Sequence, residues 1–272
     1  FIIEQFGFGS DMYLGGENIL ELLAYEVFKD NLSEMRKHKI TFALPPECET
    51  FAGAEALVRE TRDAASHLNN KILAERLRPF WERGAGYDEF ATGDGFKTTL
   101  TLFSSEKTGN AGNRAQVHID IDVRKLERTL EDRIRRGVEN FFQAMATAFK
   151  GRTVRQVHIF LAGNSCKAPM VRKLFEEYIT SRMESTMRVP QTGKSDAKGK
   201  QSADAGKSAV PRKDDPFLLY LPLGMEDEEA GKGKKLNGDF DRMRTGKTGV
   251  AFGLLRCRKG GKDVKIINKN VD

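Results

Sequence analysis

The chain has 272 residues, 39% of them hydrophobic and 31% charged, with a formal net charge of +6 and three cysteines. This is enough chain to bury one large core or two modest ones, and the composition is that of a soluble globular protein. No apolar run approaches the ~18 residues of a membrane helix, and Cys48, Cys166 and Cys257 are too scattered for a disulfide framework or a zinc site, which fits a reducing cytoplasm.

The first residues, Phe1-Ile2-Ile3-Glu4, carry no basic segment ahead of an apolar one and do not read as a signal peptide. Without an initiator Met they read as the cut edge of a longer protein. From Phe1 to Phe8 an apolar stretch runs into Gly7, Gly9 and then Gly15-Gly16, the pattern of a strand entering a glycine-rich turn. A helix is expected from about Glu17, with Ile19, Leu22, Leu23 and Val27 on one face, which Leu32 would extend. Pro45-Pro46 ends the segment that follows. A long helix fits Gly53 to Glu82, with Leu57, Val58, Ala64, Ala65, Leu68, Ile72 and Leu77 as its apolar stripe. Gly84, Gly86, Gly93 and Gly95 mark turns, and Lys97 to Phe103 reads as a strand. A loop around Gly109 to Gly112 leads to the clearest strand signal in the chain. There Ala115, Val117, Ile119, Ile121 and Val123 alternate with Gln116, His118, Asp120, Asp122 and Arg124, which implies a sheet with one wet face.

Leu126, Leu130, Ile134, Val138, Phe142, Met145 and Phe149 then recur at helical steps, and Gly151 closes the helix. Val154 to Leu161 reads as a buried strand, Ala162-Gly163-Asn164-Ser165 as a tight turn, and Ala168 to Met183 as a helix with Met170, Val171, Leu174, Phe175 and Tyr178 inward. Glu184 to Asp215 is rich in Lys, Ser, Gly, Ala and Gln and reads as a disordered or mobile insertion. Apolar character resumes from Phe217 to Leu223. Glu226 to Glu229 and Lys232 to Lys235 suit an exposed loop, Thr248 to Arg258 a closely packed helix, and Val264 to Ile267 a last strand.

The constellation with most chemical content is strand, Gly163-Asn164-Ser165, helix. A glycine turn lets backbone approach a ligand, and the N-terminus of the next helix presents unpaired N–H groups to a phosphate. Pro169 sits near the first turn, where a missing N–H costs little. On pattern alone an ordinary strand-to-helix turn describes these residues equally well.

Leu161-Ala162-Gly163-Asn164-Ser165-Cys166-Lys167-Ala168-Pro169, followed by Met170, Val171 and Leu174, resembles the adenosine-motif turn of seventy-kilodalton heat-shock (DnaK-type) chaperones. Tyr13-Leu14-Gly15-Gly16-Glu17-Asn18 resembles the Leu-Gly-Gly-Glu-Asp turn of that family, and Thr248-Gly249-Val250-Ala251-Phe252-Gly253 its Ala-Val-Ala-Tyr-Gly-Ala segment. The resemblance covers about residues 1 to 183 and 245 to 256. It implies that Gly163 lies near the ribose and phosphates, that Ser165 lies near the adenine, and that Gly15-Gly16 is a hinge between two subdomains. Lys167 stands where the family has an arginine that stacks on adenine; it keeps the charge and loses the flat face. Gly246 falls near the place of a ribose-binding aspartate. In the long helix the register stays open: one alignment puts Arg62, Ala65 and Asn69 at the adenosine positions, another puts Asp63 at the basic one. The two phosphate loops, the magnesium-organising carboxylates and the catalytic lysine of the family have no counterpart in these residues. A lobe without them should not hydrolyse ATP at a useful rate.

Several other signals carry less. Thr245-Gly246-Lys247-Thr248 lacks the glycine a Walker loop needs five residues earlier, where Asp241 stands. His38, His67, His118 and His158 are scattered and read as satisfied structural histidines. Asp120 and Asp122 share a strand face and could bind a cation, but a wet sheet face accounts for them. The basic stretch from Lys194 to Lys213 has no interleaved aromatics and reads as a solvated linker rather than a nucleic-acid site.

The expected fold class is α/β: an actin-like ATPase (ribonuclease-H-like) lobe with an inserted α+β subdomain. Residues 1–16, 125–183 and 216–272 would form the α/β subdomain, 17–124 the smaller one, and 184–215 the insertion. The resemblance implies a fragment of a DnaK-like molecular chaperone that contributes the adenosine side of an ATP/ADP cleft, with Mg held in the full-length protein. Gly163, Asn164, Ser165, Lys167, Arg62 and Asn69 would line the nucleotide side. The implied partners are the first lobe of the same chain and client or co-chaperone proteins, with neither membrane nor nucleic acid. One alternative is a divergent pseudo-ATPase scaffold of the same fold. Another is a nucleic-acid-associated protein using the basic linker.

Overall fold

The computed structural model describes residues 2–5, 7–59, 63–91, 93–105, 113–162, 166, 168–187, 216–220 and 265–268. Of the expected insertion at 184–215, residues 184–187 continue the helix that begins at Pro169 and the rest lies outside the described residues, as do the loop at 226–235 and the helix at 248–258. The chain divides into two compact units: Gly9–Phe142, and Phe1–Phe8 together with Gln143–Asp272. Strand β1 (Ile2–Gln5) belongs to the second of these.

The Gly9–Phe142 unit begins with helix α1 (Gly16–Asp30) and the short α2 (Leu32–Lys37). Ile19, Leu20, Leu23, Ala24, Val27 and Phe28 of α1 are buried at helical spacing, so this face forms the core. Tyr25, Phe28 and Phe42 pack ring against ring at 4.9–6.2 Å. Each such buried side chain contributes about 2 kcal/mol through removal of apolar surface from water. Phe42 and Ala43 form β2, which pairs in parallel with β3 (Val58–Arg59).

Helix α3 runs from Ala64 to Glu82, not from Gly53. Gly53 sits at φ +89, in the left-handed region, and Leu57 and Val58 are buried beside β2 rather than on a helix face. The helix starts where Asp63 caps it, its carboxylate accepting from the Ser66 amide at 2.7 Å.

A 3-10 turn (Tyr87–Glu89) leads to β4 (Phe96–Phe103) and its antiparallel partner β5 (Arg114–Ile121). In β5 the alternation is realised: Val117, Ile119 and Ile121 are buried, and Gln116, His118 and Asp120 are exposed. Gly95, at φ +140, makes the turn into β4 possible. A Cβ placed there would lie 2.6 Å from the Ile121 carbonyl oxygen and 3.5 Å from the Asp122 Cα. Both obstacles are backbone and cannot swing aside. Gly95→Ala is expected to destabilise the unit by about 2–3 kcal/mol, read as a lower urea midpoint at unchanged slope.

Three asparagine amides finish strand ends in this unit, each gripping the N–H and C=O of one strand residue. Asn70 holds Ala43 (3.0 and 2.8 Å). Asn69 holds Phe103 (2.7 and 2.9 Å) and donates also to the Thr41 carbonyl at 2.9 Å. Asn31, between α1 and α2, holds Asp120 (2.8 Å for both bonds) and donates to the Val27 carbonyl. All three are buried, and each replaces the missing neighbour strand with a side-chain peptide group. The neighbouring Thr41 hydroxyl is buried with no hydrogen-bond partner. Thr41→Val therefore removes an orphaned polar group and is expected to raise stability by about 1 kcal/mol in the same denaturation assay.

Asp122 caps the next helix, α4 (Val123–Ala148), accepting from the Lys125 amide at 2.9 Å. Leu126, Leu130, Ile134, Val138 and Phe142 form its buried stripe. In the other unit, β6 (Val157–Phe160) is followed by α5 (Pro169–Met187) and then by β7 (Phe217–Tyr220), which pairs with β6 in parallel. Strand β8 (Lys265–Asn268) pairs in parallel with β1. Among the described residues no helix is long and apolar enough to cross a membrane. The architecture is mixed α/β.

Candidate functional site

The strand–turn–helix singled out in the sequence lies at the end of β6. Ile159 and Leu161 are buried, and Ala162 turns outward. The Cys166 thiol donates back to the Ala162 carbonyl at 3.1 Å. Burial pushes this thiol's pKa up, so it stays protonated and available as a donor. Pro169 is the first residue of α5, and the Val171 amide is already spent on the Ala168 carbonyl at 3.0 Å. Ala168, Val171, Leu174 and Phe175 are buried. Strand β6, helix α5 and strand β7 thus form a parallel strand–helix–strand unit, and the segment that joins β6 to α5 leaves from the carboxyl end of its first strand. Open α/β sheets bind ligands at that end.

The six residues expected to line a nucleotide fare differently. Gly163, Asn164, Ser165 and Lys167 lie outside the described residues, as does Arg62. Asn69 is described, and it does not fit a nucleotide contact: it is 0% exposed, and both ends of its amide are taken by Phe103 and Thr41. Ala65 and Asp63, the other candidates on this helix, sit at its start; Asp63 spends its carboxylate on the Ser66 cap.

Beyond β6, the ring of Phe160 is 70% exposed and stacks on Tyr220 at 4.4 Å. His158 shares a 2.8 Å hydrogen bond with the Tyr220 hydroxyl. The Gly9–Phe142 unit carries an open groove of about 630 Å³, lined among others by Asp30, Ser33, Glu34, Lys97, His118 and Asp120. Its charges are already paired, Lys97 with Asp120 at 3.3 Å and Lys37 with Glu34 at 3.3 Å, and His118 shares a hydrogen bond with Thr99. Among the described residues no group of three or more His, Cys, Asp or Glu is arranged to hold a metal ion. Cys48 is no nucleophile at neutral pH, because burial pushes its thiol up to about 11.

The sequence pattern does not single out Arg133, although it lies three residues after Leu130 and next to Ile134, on the edge of the buried stripe of α4. It is 3% exposed. Its guanidinium donates to both carboxylate oxygens of Asp11 (Nη1 to Oδ2 3.0 Å, Nη2 to Oδ1 2.7 Å) and to Glu47 Oε2 at 3.1 Å. The hydrogen bonds from Arg133 hold the Asp11 carboxyl below the usual carboxylate range against the opposing effect of burial, helped by the Tyr13 amide.

No protein-family model, no curated protein and no solved structure matches this chain.

Proposed function

We propose that this chain is the second lobe of an actin-like ATPase of the DnaK chaperone type, working in the cytoplasm and contributing the adenosine side of an ATP-binding cleft. The observation that carries the reading is the parallel β6–α5–β7 unit, whose first strand ends two residues ahead of the sequence Ala162-Gly163-Asn164-Ser165. Backbone amides at Gly163 to Ser165 would meet the ribose and phosphates, and Lys167 would add charge beside the adenine. Phosphoryl transfer would depend on loops supplied by a first lobe, so the isolated chain binds and does not hydrolyse. Closure of the lobes on nucleotide would signal to a client or co-chaperone.

A second reading is favoured by one observation. Asn69, an adenosine contact in one alignment, is wholly used by the fold, which is what a pseudo-ATPase scaffold of the same architecture would show. Titrating a fluorescent ADP analogue into the full-length protein separates the two. The ATPase reading expects saturable binding, weakened at least about tenfold by Gly163→Val, which puts a branched side chain into the turn. A flat titration into folded protein leaves the scaffold.

A further inference from the structure

The Gly9–Phe142 unit connects to the rest of the chain at two points: the backbone comes in at Gly9 and leaves along α4 past Phe142. Two contacts of different kinds tie the incoming segment to α4 within the unit. The first is the Arg133 fork on Asp11, with Glu47 as a third anchor. The second lies one turn further along the same helix face, since residues four apart are neighbours there. At Gly137 a Cβ would fall 2.5 Å from Leu14 Cδ2 and 2.8 Å from Cδ1, so the absence of a side chain lets Leu14 lie directly on the helix backbone. The segment is braced internally as well. The Tyr13 amide donates to Asp11 Oδ1 at 3.0 Å, and the Asn18 side chain donates to the Met12 carbonyl at 3.1 Å, linking it to the first turn of α1. Gly15, the N-cap of α1, has φ −66 and ψ 149, extended backbone open to any residue, and so shows no special conformation of its own.

We propose that the Asp11–Arg133 pair and the Leu14–Gly137 contact form a latch that makes the incoming segment and α4 move as one strut, so that the Gly15-Gly16 turn is not the hinge. The physical reason is cost: opening the segment strips a buried guanidinium of its two-bond partner Asp11 and leaves it only the single bond to Glu47. Arg133 is a positioning residue in this scheme, and the scheme needs no nucleotide.

Amide hydrogen exchange on the 272-residue chain tests it, with Arg133→Met, Asp11→Asn and the double variant. The expected result is exchange at residues 12–16 accelerated in Arg133→Met by at least about tenfold more than the core amides of α1 (20–28) and α3 (73–81), which follow only the change in global stability. The double variant should exchange no faster than Arg133→Met, because the pair acts as one contact. Should Arg133→Met fail to fold, Asp11→Asn, which keeps the shape and removes the charge, carries the same comparison. Unchanged exchange at 12–16 in a folded variant overturns the latch. So does acceleration spread evenly over the unit, which marks a general stability effect, and so does additivity of the two substitutions.

Discussion

Arg133→Met is expected to lower the unfolding free energy by about 3–5 kcal/mol, the range for breaking a buried ion pair from one side. The methionine fills much of the same space, so the loss comes from charge rather than volume: Asp11 is left with its carboxylate largely enclosed and no cation on it. Urea denaturation followed by far-ultraviolet circular dichroism measures the change. The same pair sets a pH dependence. The carboxyl of Asp11 sits lower in the folded protein than in the unfolded chain. Its contribution is therefore complete above the unfolded pKa near ~3.9 and is lost as pH falls through the folded value. The groups facing it are Arg133, the Tyr13 amide and Asn140, with Glu47 on the far side of the guanidinium. Stability of the native chain should thus fall on acidification below about pH 4, and the Arg133→Met variant should show a shallower fall.

The second large effect is expected at Asn69. Asn69→Ala leaves the Phe103 N–H, the Phe103 carbonyl and the Thr41 carbonyl without their bonds. At roughly 1–3 kcal/mol for each buried group left unsatisfied, and allowing for partial relaxation, the loss should reach about 3–5 kcal/mol. Asn69→Asp should be no better, since it restores one acceptor, removes two donors and puts a charge where exposure is nil. The measurement is again the urea midpoint. It also bears on function, because a residue that served only a nucleotide would lose affinity and leave stability where it was.

How far the sequence reveals this molecule depends on what each residue needs in order to be understood. Strand β5 is legible because one face is wet and the other buried, so polarity alternates. Helix α4 is legible for the same reason at helical spacing. The start of α3 is not. Leu57, Val58, Ala64 and Leu68 happen to continue a helical spacing backwards, while a glycine in left-handed backbone and a capping aspartate decide the boundary. Asn69 misleads because its partners come from far along the chain, at Thr41 and Phe103, and β2 is too short to announce itself. Arg133 is hidden by its company: on a helix full of arginines only its angular position marks it as inward, and its carboxylates lie 122 and 86 residues away. At the candidate site, strand β6 and helix α5 follow from hydrophobic pattern, whereas the chemistry of the turn between them rests on resemblance.

The asparagine grips have a consequence for how β4 finds β5. Asn31 holds peptide groups of Asp120, and Asn69 those of Phe103, and both sets point away from the partner strand. A slip of either strand by one residue would rotate its groups inward and present its asparagine with a peptide facing the wrong way. The correct alignment is therefore checked at two ends by asparagines that take no part in the hairpin loop. Lengthening that loop should leave the strands in step, while removing either asparagine should let them drift.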